Sequence, residues 1–439
     1  MRHWKLFASL SLFFACGAYG AAAESPKLCH VGVYRLDDGR AFEVNRAGDD
    51  ALRWRMLDGT SGLLKLGADG MWDNSAGWTE RADGKRARFD DCAAGSLEFD
   101  GHKGTRVPLV IQDVTFDSGG VELAGRLVMP PGNDKVPVVV LVHGSEDSSA
   151  RDLYSQQRLF PAMGVGAFVY DKRGTGASKG SYTHDYPLLA ADAAAAANEA
   201  RRLAGPRAGR VGFHGTSQGG WVGPLAATLA KVDFVIVSYG LAVSPSEENR
   251  ECIELDMTRH GFGAPEIRKA LEVAHAAELV ANSNFQNNYE LLDEMRAKYS
   301  GEPWYKYVRG NITHIVYEMP PAELRVKGPQ FFAGGMPYYD PMPVLRRLDT
   351  PQLWILGADD IDAPSAETTR RLRDLQRDGK PIDVVVYPGA EHGMYEFVTD
   401  EKGERLSTRQ PRTYLPLMAE YAKKGKIGAR YDKAAVYRH

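Results

Sequence analysis

The pattern of apolar and polar positions changes twice along the chain. From residue 24 to about residue 105, short runs such as Phe42-Glu43-Val44, Leu52-Arg53-Trp54-Arg55-Met56 and Leu63-Leu64-Lys65-Leu66 are separated by Asp-Gly pairs at 38–39, 58–59, 69–70, 83–84 and 100–101. Asp-Gly between alternating runs marks a tight hairpin, because such turns need positive φ at their centre. This predicts a small antiparallel β domain over 24–106, in which Trp54, Trp72 and Trp78 serve packing rather than a sugar-binding face.

From Val107 onward the runs become continuously apolar and β-branched. Val136–Val142, Ala167–Tyr170, Val211–Phe213, Phe234–Val237, Leu353–Leu356 and Val384–Tyr387 read as strands buried on both faces. Helical stretches stand between them, among them Leu188–Leu203, Gly220–Ala230 and Ala366–Leu375. Strand alternating with helix predicts a mostly parallel sheet flanked by helices, the α/β class, over 107–439. The alternation lapses between about Ala242 and Pro343, where Ile267, Leu271, Ala274 and Leu279 keep helical spacing and aromatics are frequent. A helical lid inserted after a sheet strand fits this stretch.

Composition narrows the partners. The 439 residues are 44% hydrophobic and 25% charged with a net charge of −3, so there is no basic excess of the kind that holds nucleic acid. A mean hydropathy of −0.35 argues against a multispan membrane protein. The first 23 residues read as a signal peptide: Arg2 and Lys5, the apolar run Leu6–Ala15, then Ala21-Ala22-Ala23 as a cleavage site. The apolar run is too short for a stable membrane span, and Cys16 is a lesser possibility as a lipidated cysteine. Export to the periplasm or beyond is therefore expected. In an oxidising compartment Cys29 and Cys92, both in the N-terminal segment, are expected to pair, leaving Cys252 spare.

Two pentapeptides match G-x-S-x-G. Gly176-Ala177-Ser178-Lys179-Gly180 runs into a loop, whereas Gly215-Thr216-Ser217-Gln218-Gly219 lies between a strand and a helix. Strand, sharp turn and helix together form a nucleophile elbow, which lifts the serine hydroxyl out of the sheet. Ser217 is thus the candidate nucleophile and Ser178 a loop residue. A serine needs a base, and in this layout an acid and then a histidine follow in chain order after later strands. His392 ends the last strand's loop, and Asp359, Asp360 and Asp362 follow the strand before it. The oxyanion would take the backbone N–H of Gln218 and of Ser145, with Gly144 as runner-up, and His143 shaping the turn. No cofactor or metal is expected. Gly174-Thr175-Gly176 lacks the third glycine of a dinucleotide site, and the chain contains no P-loop, H-E-x-x-H or paired C-x-x-C.

These motifs resemble the α/β-hydrolase superfamily over roughly Asp113 to Lys424, nearest in look to bacterial serine hydrolases of the esterase, acyl-thioesterase and peptidase-like branch. The resemblance rests on Val142-His143-Gly144-Ser145, the run Tyr170 to Ser178, the Ser217 elbow, Gly357 to Pro364, and Glu391-His392-Gly393. It implies that Tyr170 to Ser178 is the structural D-x-R-G-x-G-x-S turn. It also implies that the spacing G-x-x-D-x-x-x-P, falling on Gly357, Asp360 and Pro364, selects Asp360 as the acid. The implied activity is hydrolysis of carboxylic esters of small or medium acyl groups through Ser217, His392 and Asp360. A peptidase for short peptides is the alternative, with Glu247, Glu248 and Glu251 either anchoring an amine or, as favoured here, forming a solvated helix face. A binding protein that merely kept the fold is a further one. The lid aromatics Phe262, Phe285, Tyr289, Trp304, Tyr305, Phe331 and Phe332 would cover an apolar acyl pocket or pack the lid.

Overall fold

The computed structural model describes residues 28–48 and 50–439; the expected signal segment and Cys16 lie outside the described residues. Eight antiparallel strands, from Gly32–Leu36 to His102–Arg106, form a closed barrel, with Tyr34 paired to Arg106 where the last strand meets the first. Phe42, Val44, Trp54, Leu64, Trp72 and Phe99 fill it, and the Trp54 indole donates to Asn74 Oδ1 at 2.7 Å. Cys29 and Cys92 are joined in a disulfide, their Cα atoms 5.5 Å apart.

The main sheet has nine strands: β1 (Val110–Ser118), β2 (Val121–Met129), β3 (Val136–Val142), β4 (Gly166–Tyr170), β5 (Ala208–Thr216), β6 (Phe234–Ser238), β7 (Gln352–Gly357), β8 (Ile382–Tyr387) and β9 (Ala435–Tyr437). Their spatial order is β9-β8-β7-β6-β5-β3-β4-β2-β1. The strands from β8 to β4 run parallel, and β1, β2 and β9 are antiparallel to their neighbours. Pleating sends alternate side chains to opposite faces. Val138, Val140 and Val142 therefore pack under the helices Tyr186–Ala204 and Gly219–Ala226, while Val139 and Leu141 pack under Tyr414–Lys424. Each such fully buried valine or leucine contributes about 1.5–3 kcal/mol.

Helices Pro245–Arg259, Ala264–Asn282, Tyr289–Tyr299, Asn311–Glu318 and Pro321–Phe331 form the insertion between β6 and β7. They have a core of their own, built on Ile253, Val273, Ala277, Leu292, Trp304 and Val316. Phe285, Tyr289 and Trp304 are buried in that core, Phe262, Tyr305 and Phe332 pack on its edge, and Phe331 is exposed. The aromatics thus hold the lid together and do not line an apolar acyl pocket. No helix of the described residues is long and apolar enough to cross a membrane.

The barrel is docked against the sheet domain by charge. Glu43, wholly buried in a barrel strand, meets Arg158 at 2.7 Å and Arg55 at 3.7 Å. A hairpin after β8, Tyr395–Thr399 with Arg405–Arg409, closes the other side of this junction. Trp78 of the barrel packs edge-on against Tyr395, ring centres 4.4 Å apart.

Candidate active site

Strand β5 ends at Thr216, and Ser217 follows with φ of +52°, in the left-handed region. A non-glycine residue held there is strained, and such strain is found at sites where a side chain must be presented. Glycine on either side is a packing requirement. A Cβ on Gly215 would stand 2.1 Å from the Gly219 carbonyl oxygen, and one on Gly219 would stand 2.8 Å from that of Val142. The turn can therefore close only with both glycines, and helix Gly219–Ala226 starts directly behind the serine.

The structure brings Ser217, His392 and Asp360 into line. His392 Nε2 is 3.1 Å from Ser217 Oγ, and Nδ1 is 2.9 Å from Asp360 Oδ2. Asp360 is buried, and its other oxygen accepts the amides of Asp362 and Ala363 at 3.0 and 2.8 Å. Its neighbours serve elsewhere. Asp359 accepts the Gly389 amide at 2.8 Å, and the Asp362 carbonyl accepts from Asn311 at 3.0 Å and from the Cys252 thiol at 3.1 Å. Neither spare aspartate caps the following helix, since Pro364 occupies the cap of Ser365–Arg377. Burial works against a charged His392, but the carboxylates of Asp360, Asp362 and Glu248 outweigh it and hold the imidazole up at about 9.

The loop after β3 carries Ser145, which lines the same cavity as Ser217. Among the described residues neither the Ser145 N–H nor the Gln218 N–H has a hydrogen-bond acceptor. The Gly144 N–H, by contrast, donates to Tyr154 Oη at 3.3 Å. His143 sits 2.7 Å from the Tyr170 carbonyl and shapes the loop. Ser178 is structural: its hydroxyl donates to the Asp171 carbonyl at 2.6 Å and accepts the Ala124 amide at 2.9 Å. Arg173 of the same turn is paired with buried Asp192 at 2.5 Å.

Three residues near the site escaped the sequence reading. Lys172, only 2% exposed, donates from Nζ to the Gly144 carbonyl at 3.0 Å. Tyr182 Oη bonds the Ser145 carbonyl and lies 2.9 Å from His184 Nε2, while His184 Nδ1 bonds the Gln218 side-chain amide. Their only signal in the sequence was membership of the D-x-R-G turn and the loop after it.

A cavity of about 1150 Å³ opens over Ser217. Its wall draws on all parts of the molecule: Arg55 from the barrel, Leu255 and Arg259 from the lid, and Arg405 and Gln410 from the hairpin side. Charged side chains of both signs share this wall about evenly with apolar surface, and none of the seven lid aromatics contributes. The lid glutamates are not a solvated face either. Glu247 caps its helix through Ser244 and pairs with Arg371 at 2.6 Å. Glu248 is pushed up to about 8 by burial, against the pull of His392. The groupings that could hold a metal among the described residues are Cys29, His30 and Cys92, two of which form the disulfide, and Asp37, Asp38 and His102 on the barrel surface. Neither lines the cavity.

Residues 139–406 match the model of the Alpha/beta hydrolase family. No curated protein matches the chain. Solved structures are similar to it at low identity. An esterase from Pyrobaculum calidifontis is 19% identical over 73% of this chain and 88% of its own, with a TM-score of 0.44. An acylaminoacyl peptidase from Pyrococcus horikoshii is 15% identical over 89% of this chain and 57% of its own, with a TM-score of 0.46. A proline iminopeptidase from Mycobacterium smegmatis is 17% identical over 71% of this chain and 97% of its own, with a TM-score of 0.43.

Proposed function

The chain belongs to the alpha/beta hydrolase family, and from that premise we propose that it is a serine hydrolase acting on carboxylic esters of small or medium acyl groups. The observation that carries this reading is the unbroken contact from Ser217 Oγ through the His392 ring to Asp360, at 3.1 and 2.9 Å. His392 Nε2 takes the serine proton as Oγ attacks the acyl carbon, and Asp360 holds the tautomer and stabilises the imidazolium. The Ser145 and Gln218 N–H groups receive the oxyanion. His392 then protonates the leaving alcohol, and a water activated by the same imidazole releases the acid.

The charged cavity wall supports a compact, polar acyl group over a long alkyl chain, since an alkyl chain gains little where it must lie against ionic side chains. The Cys29–Cys92 bridge supports export to an oxidising compartment. One observation favours a peptidase as second reading: acidic side chains on the cavity wall, among them Asp256, Asp362 and Glu404, offer a charge for a substrate amine.

The test is labelling with a fluorophosphonate, followed by turnover of p-nitrophenyl esters of graded chain length beside aminoacyl anilides. Wild type should label and Ser217→Ala should not, with kcat down by roughly a million-fold. Turnover should peak at short esters. Faster anilide turnover would transfer the assignment to the peptidase reading, and an unlabelled wild type would leave a binding protein.

A further inference from the structure

We propose that Lys172, with Tyr182 and His184, positions the two oxyanion donors: Lys172 holds the Gly144 carbonyl from behind, so that the Ser145 N–H is aimed into the cavity. This rests on the reading of Ser217 as an acyl-transfer nucleophile and assigns residues that act through the donors without touching substrate.

The argument begins with the peptide plane. In a trans peptide the C=O of one residue and the N–H of the next point in opposite directions. The Gly144 carbonyl and the Ser145 N–H belong to one such plane, and Lys172 Nζ binds the carbonyl end at 3.0 Å. Fixing that end fixes the direction of the other. An ammonium donor also draws charge from the carbonyl and makes the N–H a stronger donor, an effect that grows where water is excluded. Burying an ammonium is costly unless it is compensated. Burial pulls the Lys172 ammonium down to about 8, and the local compensation is the Tyr182 ring face, 4.6 Å from Nζ, with the carboxylates Glu146 and Asp147, which favour the charged form. A loop carbonyl at the edge of a wet cavity could be satisfied by water, so satisfying it alone would not require a buried charge.

The second arm ties the other donor to the first. Tyr182 has one hydroxyl proton, and the Ser145 carbonyl can only accept it. His184 must therefore donate from Nε2 to Tyr182 Oη, over 2.9 Å, and accept at Nδ1 from the Gln218 side-chain amide. This direction requires a neutral ring, and burial together with nearby Lys172 holds His184 down at about 3. The chain runs one way from Gln218 to Ser145, the two residues whose backbone N–H groups would meet the oxyanion. Their separation is thereby fixed before substrate arrives.

The experiment compares wild type, Lys172→Met and Tyr182→Phe on p-nitrophenyl butyrate, and measures inhibition by an alkylboronic acid, which forms a tetrahedral adduct on the serine. Lys172→Met should lower kcat by about 10–100-fold, less than the roughly 10²–10³-fold cost of deleting a donor. KM should stay within about twofold, and boronate affinity should fall in parallel with kcat/KM. Tyr182→Phe should act in the same direction with a smaller loss, about 3–10-fold, and it decides the matter if Lys172→Met does not fold. A folded Lys172→Met with kcat and boronate affinity of wild type would overturn the assignment, as would a loss confined to KM. A wild type inert to both fluorophosphonate and ester would instead sink the hydrolase reading on which it stands.

Discussion

His392 carries a charge over much of the range in which an ordinary imidazole is neutral, because Asp360, Asp362 and Glu248 outweigh the cost of burying it. Only the neutral ring can take the Ser217 proton. The acid limb of kcat/KM should accordingly lie well above the usual 6.5 and approach about 9, which a pH profile on a non-titrating ester would show. The same shift has a stability consequence of fixed sign. A folded-state value above the unfolded one means that the charged pair stabilises the fold in full below pH about 6.5, and that the contribution fades as pH rises through about 9. The acid is tested by paired substitutions: Asp360→Asn should cost about 10⁴-fold in kcat, while Asp359→Asn, whose amide oxygen can still accept from the Gly389 N–H, should stay within about tenfold. Ser217 and His392 were legible because each stands in a short local pattern after a strand, and Asp360 because resemblance chose among three aspartates. Lys172, Tyr182 and His184 were not, since their partners Gly144, Ser145 and Gln218 lie about 30 residues away, and no local pattern encodes a hydrogen bond of that reach.

The hairpin that follows His392 is held by the barrel at points that leave no slack. Gly59, at φ of +84°, lies so close to residue 410 that a Cβ would stand 2.1 Å from the Gln410 carbonyl oxygen. Arg409 reaches the Asp58 carbonyl, and the Gln410 side chain bonds the Gly393 carbonyl, one residue past His392, at 3.1 Å. Gly59→Ala should therefore do two things at once: lower stability by about 1–3 kcal/mol through strain at positive φ, and reduce kcat/KM by disturbing the segment beside His392. Thermal melts with kinetics on the same preparation check both, and a melting change with unaltered kcat/KM would separate barrel from site. The Asp-Gly turns made the hairpins readable. Closure of the barrel was not, because it depends on pairing Tyr34 with Arg106, the two ends of the segment. The lid aromatics left two readings open for a related reason: spacing shows that a helix has an apolar face, not whether that face meets substrate or another helix, and the structure selects lid packing.

At the scale of the whole molecule, the barrel and the hydrolase domain share a buried ion cluster at Glu43, Arg158 and Arg55, and Arg55 continues into the cavity wall. The Cys29–Cys92 bridge, its ends 63 positions apart in the chain, constrains the unfolded barrel by about 4 kcal/mol in the chain-entropy picture. Adding reductant should lower the melting temperature while leaving ester turnover at 25 °C nearly unchanged, since neither cysteine lines the cavity; calorimetry and an activity assay with and without dithiothreitol test this. The alternation of strands and helices made the parallel sheet legible, whereas the docking of one domain on the other was carried by single charged residues that no local pattern marks. The close fit of Gly59 to residues 410 and 411 also limits inheritance. In a gene shuffled between relatives, a crossover anywhere between barrel and hairpin would pair two surfaces that were never selected together, so the segments encoding barrel and hairpin must travel as one unit even though eight of the nine sheet strands lie between them.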